Sequence, residues 1–371
     1  MRVLMISKAC IHGAYQRKLE ELARRSADLD LTVVVPPAWR DDAGRTTSVE
    51  RRHTEGYRLI VEPMALNGHF HTHFYPRLGR RFREERWDLV HIDEEPYNIA
   101  TLQATWLAQG SGARPLFFTW QNIERQYPLP VRLIERYCYT RATGAIAGTA
   151  AARTVLRRKG YSGPAWVVPQ FGVDPQTFCP QPGEQPPDSS LFRVGFVGRL
   201  IPGKGAHLLV EACARLGGNV RLDVLGWGPE ELRLRALAAA NGLGERLHIH
   251  PAVPSTEVAQ FMRQLDVLVA PSLTTPAWKE QFGRVVIEAM ACATPVVGSD
   301  SGEIGQVIGG AGLVFPEGNV PALVEALGRL RDDPALRRDL AARGRARVLA
   351  EYTQQRIAER TWQVYQALAS Q

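Results

Sequence analysis

A chain of 371 residues with 45% hydrophobic content supports two ordinary domains with their own cores, which excludes a disordered chain and a small disulfide scaffold. The five cysteines have neither paired nor metal-type spacing, and the apolar run Val3 to Ile6 is too short for a signal-peptide core, so a reduced, cytoplasmic setting is expected. No stretch approaches the roughly 20 apolar residues that span a bilayer, and the formal charge of +7 suits an acidic partner without naming one.

The chain opens with an apolar run, RVLMIS, a loop, KACIHGAY, and a helical stretch, QRKLEELARRS, which is how a doubly wound α/β domain begins. Further strand-like runs follow as LDLTVVVP, YRLIVEPM, WDLVHIDEE, RPLFFTWQN and ATGAIAGT, and the polar or helical stretches between them predict a largely parallel sheet. Such sheets bind ligands beyond the carboxyl ends of their strands. The loop after the first strand has a single glycine, Gly13, and so lacks the G-x-G-x-x-G fingerprint of a dinucleotide site. A missing side chain there permits close backbone approach by a ligand, and a plain turn glycine explains it equally well. His91, Asp93, Glu94 and Glu95 end one strand, while Gln121, Asn122 and Glu124 end the next. Of these, His91, Glu94, Gln121 and Asn122 are the candidates for contact with an acceptor.

Two features of this half invite stronger readings. HFHTH would place His69, His71 and His73 on one side of an extended strand, a metal-type pattern; without a nearby cysteine a solvated or acceptor-facing loop is expected, and no metal site is assigned. PRLGRRFREERW gathers Arg77, Arg80, Arg81, Arg83 and Arg86 around Glu84 and Glu85. It reads either as a surface for anionic lipid headgroups or an anionic acceptor, or as a solvated helix face.

From Pro169 to Pro187 the composition turns to Pro, Gly and Gln, which marks a linker and hinge. The α/β pattern then restarts with FRVGFVGRLIPGKGAHLLVEACARL, a strand, a Gly-rich turn carrying Arg199 and Lys204, and a helix. Cations beside glycines at a helix N-terminus make a seat for a diphosphate, because amides, dipole and side chains all favour negative charge. The spacing is not that of a P-loop. Two more strand–turn–helix units follow, and in LDVLVAPS the carboxylate of Asp266 reads as fixing a turn or a buried network and not as performing chemistry. In APSLTTPAWKEQFGRVVIEAMACATPVVGSDSGEIG, Glu280 sits on a loop, a helix opens at Gly283, and Glu288 lies on a helix that is apolar on almost every side. A carboxylate in that setting needs a partner, either Arg284 four residues earlier or a ligand's hydroxyls. The amides of Gly302 and Glu303 open a further helix and are offered to phosphates. The tail is helical, with Ile357, Thr361, Val364, Tyr365 and Leu368 on one packing face. Tyr365 and Trp362 are read as packing, and no nucleic-acid partner is expected.

The run EQFGRVVIE, a Glu, seven residues and a Glu, together with the following AMACATPVVGSDSGEIGQVI, closely resembles the retaining glycosyltransferases of the GT-B fold, family 4, glycosyl transferases group 1. The likeness spans nearly the whole chain and is strongest after residue 165. It implies an α/β protein of two doubly wound Rossmann-like domains facing an interdomain cleft, with a C-terminal helix returning to the N-terminal domain. Residues 1–172, with 353–371 packed back on them, would bind the acceptor, and residues 173–352 the donor. The implied reaction moves a hexose-type sugar from a UDP- or GDP-sugar, with retention, to a hydroxyl of a glycan, lipid-linked or small-molecule acceptor, in glycan, polysaccharide or glycolipid synthesis.

The resemblance assigns roles residue by residue. Arg199 and Lys204 would grip the diphosphate, Glu280 the donor sugar's hydroxyls, and Glu288 the ribose. Val253 would lie near the base, and Phe282, Gly283 and the loop of Gly13 would complete the donor set. Arg199, Lys204 and Glu280 are the catalytic candidates. Attack from the leaving-group face is favoured in this family, so no carboxylate nucleophile is assigned. The co-substrate is the nucleotide-diphosphate sugar; no further cofactor and no metal are expected, the D-x-D at Asp28 to Asp30 standing just before a core strand. The chain departs from the family at Gln121, where a histidine is common, and at Gln170 and Phe171, although Gly172 and Asp174 are kept. Rival readings are a nucleotide-sugar epimerase or hydrolase and a non-catalytic nucleotide-sugar-binding protein. A peripheral contact with the inner face of the membrane is left open.

Overall fold

A computed structural model describes residues 1–41, 44–181, 190–251 and 253–370. The chain forms two compact units, Met1–Gly172 joined by the segment from Gln354 onward, and Val173–Thr353. Of the expected hinge at 169–187, residues 182–187 lie outside the described residues.

The first unit contains β1 (Arg2–Ile6), α1 (Gly13–Ala23), β2 (Asp30–Val35), a small antiparallel pair of β3 (Ala38–Arg40) and β4 (Thr46–Ser48), β5 (Arg58–Val61), α2 (Leu78–Glu84), β6 (Leu89–Ile92), α3 (Ile99–Ser111), β7 (Arg114–Thr119), α4 (Leu129–Arg141), β8 (Gly144–Ala147), α5 (Ala150–Arg158) and β9 (Ala165–Val167). Its seven-stranded sheet runs β5-β2-β1-β6-β7-β8-β9, with every neighbouring pair parallel. The central strands are buried almost end to end, because a parallel sheet has helices on both faces and no side left for water. All six strands expected from the sequence are present; the β3/β4 pair and β9 are additional, each strand only three residues long.

The second unit contains β10 (Phe192–Arg199), α6 (Ala206–Leu216), β11 (Val220–Trp227), α7 (Glu231–Ala240), β12 (Leu247–His250), α8 (Ser255–Arg263), β13 (Val267–Ala270), α9 (Arg284–Ala291), β14 (Val296–Ser299), α10 (Ile304–Ile308), β15 (Leu313–Phe315), α11 (Val320–Asp332) and α12 (Pro334–Glu351). Its six strands run β12-β11-β10-β13-β14-β15, again all parallel. Asp266 accepts from the backbone N–H of Arg193 at 2.8 Å, fixing the start of β13 beside β10. The helical tail is divided where Asp333 caps α12 ahead of Pro334. The last helix, α13 (Gln354–Ala369), returns to the first unit and packs on α1. Its Ile357, Val364, Tyr365 and Leu368 join Leu19 and Leu22 in one buried cluster, the face expected from the periodicity.

Residues 69–73 are turns, in accord with the loop expected there, although His73 is buried, its Nδ1 3.2 Å from the carbonyl of His69, while His71 is exposed beside Tyr97. Two expectations are corrected. Gly13 is the first residue of α1 and not a loop residue. Asp30 belongs to β2 and lies 3.6 Å from both Arg2 and Arg58, a charge-balancing position at the strand's start. Among the described residues no group of three His, Cys, Asp or Glu side chains is arranged to hold a metal, and no helix is long and apolar enough to cross a membrane.

Each sheet has one place where the chain order reverses. In the first unit β1 lies between β2 and β6; in the second β10 lies between β11 and β13. The loops leaving such neighbours diverge to opposite faces and open a crevice at the strands' carboxyl ends.

Candidate functional site

In the second unit the crevice is built by the turn after β10 and the loop after β13. Pro202–Lys204 form one 3₁₀ turn, and Gly205 caps it at φ +69. A Cβ at Gly205 would fall 1.9 Å from the carbonyl oxygen of Pro271, so only glycine lets the two loops meet. Leu273 N–H donates to the Gly203 carbonyl at 2.8 Å and ties them together.

That contact brings two of the sequence candidates into one ion pair. Lys204 Nζ donates to Glu280 Oε2 at 2.6 Å, and Ser272 Oγ donates to the same oxygen at 3.0 Å. The ring of Trp278 lies 5.3 Å from the ammonium. The Glu280 backbone rests on Gly302, whose φ is +62 and whose Cβ would come within 1.9 Å of the Glu280 carbonyl oxygen. The pair is enclosed but reachable, with side chains 25% and 12% exposed. Arg199, at the end of β10, is exposed and in no ion pair among the described residues; its guanidinium lies 5.8 Å from the ring of Trp227 on the neighbouring strand end.

Glu288 pairs with Arg284 at 2.8 Å, so the four-residue partner is present. Burial raises its carboxyl above the ordinary value, and Arg284 opposes that shift. Gly283 caps α9 at φ +76. The side chain of Phe282 departs from the expected arrangement: it is buried, its ring 5.7 Å from Tyr352, packed inside the unit, which leaves only the backbone for a ligand. Val253 is half-buried in the loop after β12.

The first unit's crevice carries a second lysine–glutamate pair, Lys8 with Glu94, one from the end of β1 and one from the end of β6. Ser7 Oγ donates to Asp93 Oδ2 at 2.6 Å across the same gap. Burial alone would raise the Glu94 carboxyl; Lys8 and His73 outweigh it and hold it at about 2. Glu95 accepts from Thr119 Oγ1 at 2.6 Å and from the Trp120 N–H at 2.7 Å, yet burial pushes its carboxyl up to about 7.

The remaining candidates divide. Gln121 is buried, its amide bonded to the Tyr127 hydroxyl at 3.3 Å and its oxygen to Lys159 Nζ at 3.1 Å, and Asn122 beside it is half-buried. His91 does not reach the crevice as expected. It is 1% exposed, with Nδ1 2.7 Å from the Tyr365 hydroxyl, because α13 covers that face of β6. Burial, helped by Lys18, pushes its imidazole well below the ordinary value, which makes it a neutral core group. The approach to Gly13 is taken by the chain itself: its N–H donates to Glu50 Oε2 at 3.0 Å, and a Cβ there would lie 2.6 Å from Arg52. The sequence reading missed Lys8, Ser272 and Trp278. Lys8 and Ser272 sit just past apolar runs, the one signal that marked them.

The sequence matches two family profiles, "Glycosyltransferase Family 4" over residues 16–177 and "Glycosyl transferases group 1" over 181–347. A D-inositol 3-phosphate glycosyltransferase from Kineococcus radiotolerans is 30% identical over 352 residues, covering 85% of this chain and 73% of that protein. The chain belongs to glycosyltransferase family 4. It is thus a glycosyltransferase of a family whose members are retaining enzymes with the GT-B fold that use nucleotide sugars. A relative of the same description from Arthrobacter is 34% identical over 191 residues, which cover 48% of this chain and 44% of that protein. Among solved structures, Anabaena HepE in complex with UDP-glucose aligns over 100% of both chains with a TM-score of 0.74 at 18% identity.

Proposed function

We propose that this family 4 enzyme transfers a hexose from a UDP- or GDP-sugar to an acceptor hydroxyl, with the donor at the second unit's crevice and the acceptor at the first unit's. The observation that carries this reading is the Lys204–Glu280 pair, held by Ser272 where the chain order reverses around β10. Both charges are set in advance of a ligand that needs both. A diphosphate draws the Lys204 ammonium away from Glu280, and Arg199 adds a second cation. Together they stabilise the charge that builds on the departing diphosphate, the main electrostatic task in breaking the glycosidic bond. The released carboxylate of Glu280, still oriented by Ser272, accepts hydrogen bonds from the sugar's hydroxyls. Glu288, neutralised by Arg284, turns its remaining lone pairs to the ribose. Val253, Gly283 and the backbone at Phe282 border the nucleotide.

Retention needs no protein nucleophile if the acceptor attacks from the leaving-group face and a donor phosphate oxygen takes its proton. The description of the Anabaena structure favours a UDP-sugar, and those of the inositol-phosphate relatives favour a small polyhydroxylated acceptor. Glu94, Lys8, Gln121 and Asn122 are the groups of the first unit proposed to face that acceptor. The free cysteines accord with a reduced, cytoplasmic setting.

The test is release of nucleoside diphosphate from UDP-, GDP- and ADP-sugars with and without simple polyol, glycan and lipid-linked acceptors, with the anomeric configuration of the product read by NMR. Acceptor-stimulated release from one donor with retention supports the reading. Full turnover of donor without acceptor would instead identify an epimerase or hydrolase, and saturable binding without turnover in any combination a sensor.

A further inference from the structure

We propose that the face of the first unit built by α2, α3 and α4 docks on an anionic membrane surface. The three helices pack side by side and enclose an open groove of about 580 Å³, lined among others by Phe82, Arg83, Trp106, Leu107, Tyr137 and Arg141. Trp106 is 65% exposed at its edge, an unusual position for the largest apolar side chain. Along α4, Leu129, Leu133, Tyr137 and Arg141 recur every four residues and so form one stripe. The two leucines are 64% and 58% exposed, and the stripe runs directly into the groove.

Charge chooses the occupant. Arg83, Arg132, Arg136 and Arg141 are exposed, and none is in an ion pair among the described residues. The nearby carboxylates are spent elsewhere: Glu84 pairs with Arg80 and Arg81, Glu62 with Arg81, and Glu135 with Lys159. The basic run at 77–86 is therefore half neutralised by its own acids, and it is Arg83 that faces the groove. An apolar ridge rimmed by unpaired arginines matches the depth profile of a bilayer interface, with Trp and Leu among the acyl chains and guanidinium groups at the phosphates. A second copy of the same patch would set like charges against each other across a two-fold axis. A soluble polyanion would satisfy the arginines but leave Trp106, Leu129 and Leu133 in water.

The test is co-sedimentation of the full chain with vesicles of phosphatidylcholine alone and of phosphatidylcholine mixed with phosphatidylglycerol. Binding is expected to the mixed vesicles and to weaken with salt. The double change Arg83→Gln/Arg141→Gln should lower partitioning about 25-fold, from about fivefold for each cation, and Trp106→Ala about tenfold. Both variants alter exposed positions on intact helices and should retain nucleoside-diphosphate binding by the second unit. Equal binding to neutral vesicles, unchanged partitioning in these variants, pelleting without vesicles, or binding to heparin in the absence of vesicle binding would each overturn the proposal.

Discussion

In the free enzyme the Lys204 ammonium is already engaged by Glu280 at 2.6 Å, so a nucleoside diphosphate must compete with a carboxylate for it. Glu280→Gln keeps the shape and an oxygen for the Ser272 hydroxyl, and removes only the charge. A hydrogen bond to a charged group contributes about 1 kcal/mol more than one between neutral groups, and removal of the carboxylate's repulsion on an incoming diphosphate adds up to about 1 kcal/mol more at roughly 8 Å and a dielectric near 40. The pair is partly exposed, with 25% of the lysine side chain accessible, which keeps these values at the modest end. Glu280→Gln should therefore bind UDP or GDP about five- to twentyfold more tightly than wild type while losing transfer. Calorimetric titration at low and physiological salt measures this, and the gain should shrink as salt rises. Unchanged or weaker nucleotide binding in Glu280→Gln would refute the exchange of Lys204 between carboxylate and phosphate.

Gly205→Ala should destabilise the second unit by roughly 3 kcal/mol or more, since the residue sits at φ +69 and its new methyl would meet the Pro271 carbonyl at 1.9 Å; thermal melting checks this, and a melt like wild type would mean that the two loops part easily. Glu95, lifted by burial from 4.5 to about 7, binds more protons in the folded than in the unfolded state between these values, so it costs stability as pH rises through that range. The loss is on the order of 3 kcal/mol; Glu95→Gln should flatten the stability–pH profile there, read by denaturant unfolding at several pH values. Tyr365→Phe removes the hydroxyl that meets His91 Nδ1 at 2.7 Å and should cost about 1 to 3 kcal/mol, or several degrees of melting temperature, with no direct effect on nucleotide affinity.

The longer strands were legible because their signal is local. Apolar runs between turn residues predicted β1, β2, β5, β6, β7 and β8, and the five-residue stripe on α13, at three- and four-residue spacing, named the face that packs on α1. The β3/β4 pair and β9 were not, because AWR, TTS and AWV are too short for any period to show. Site residues followed the same division. The Gly-rich turn and the loop carboxylate stood out, but their pairing joins positions 76 residues apart and depends on Gly205 meeting Pro271. His91 looked like a strand-end polar group because the residue that encloses it, Tyr365, is 274 positions away. Phe282 looked like part of a ligand-facing loop for a similar reason: its packing partner, Tyr352, lies at the far end of α12.

The central claim is that the turn after β10 holds the donor's diphosphate. It is tested most directly by titrating UDP and GDP, with the matching nucleosides as controls, into wild type, Arg199→Ala and Lys204→Ala. Each substitution should weaken nucleoside-diphosphate binding roughly 10- to 100-fold, the scale of a lost charge-assisted contact, and leave nucleoside binding unchanged. Diphosphate affinity equal to wild type in both variants would contradict the account.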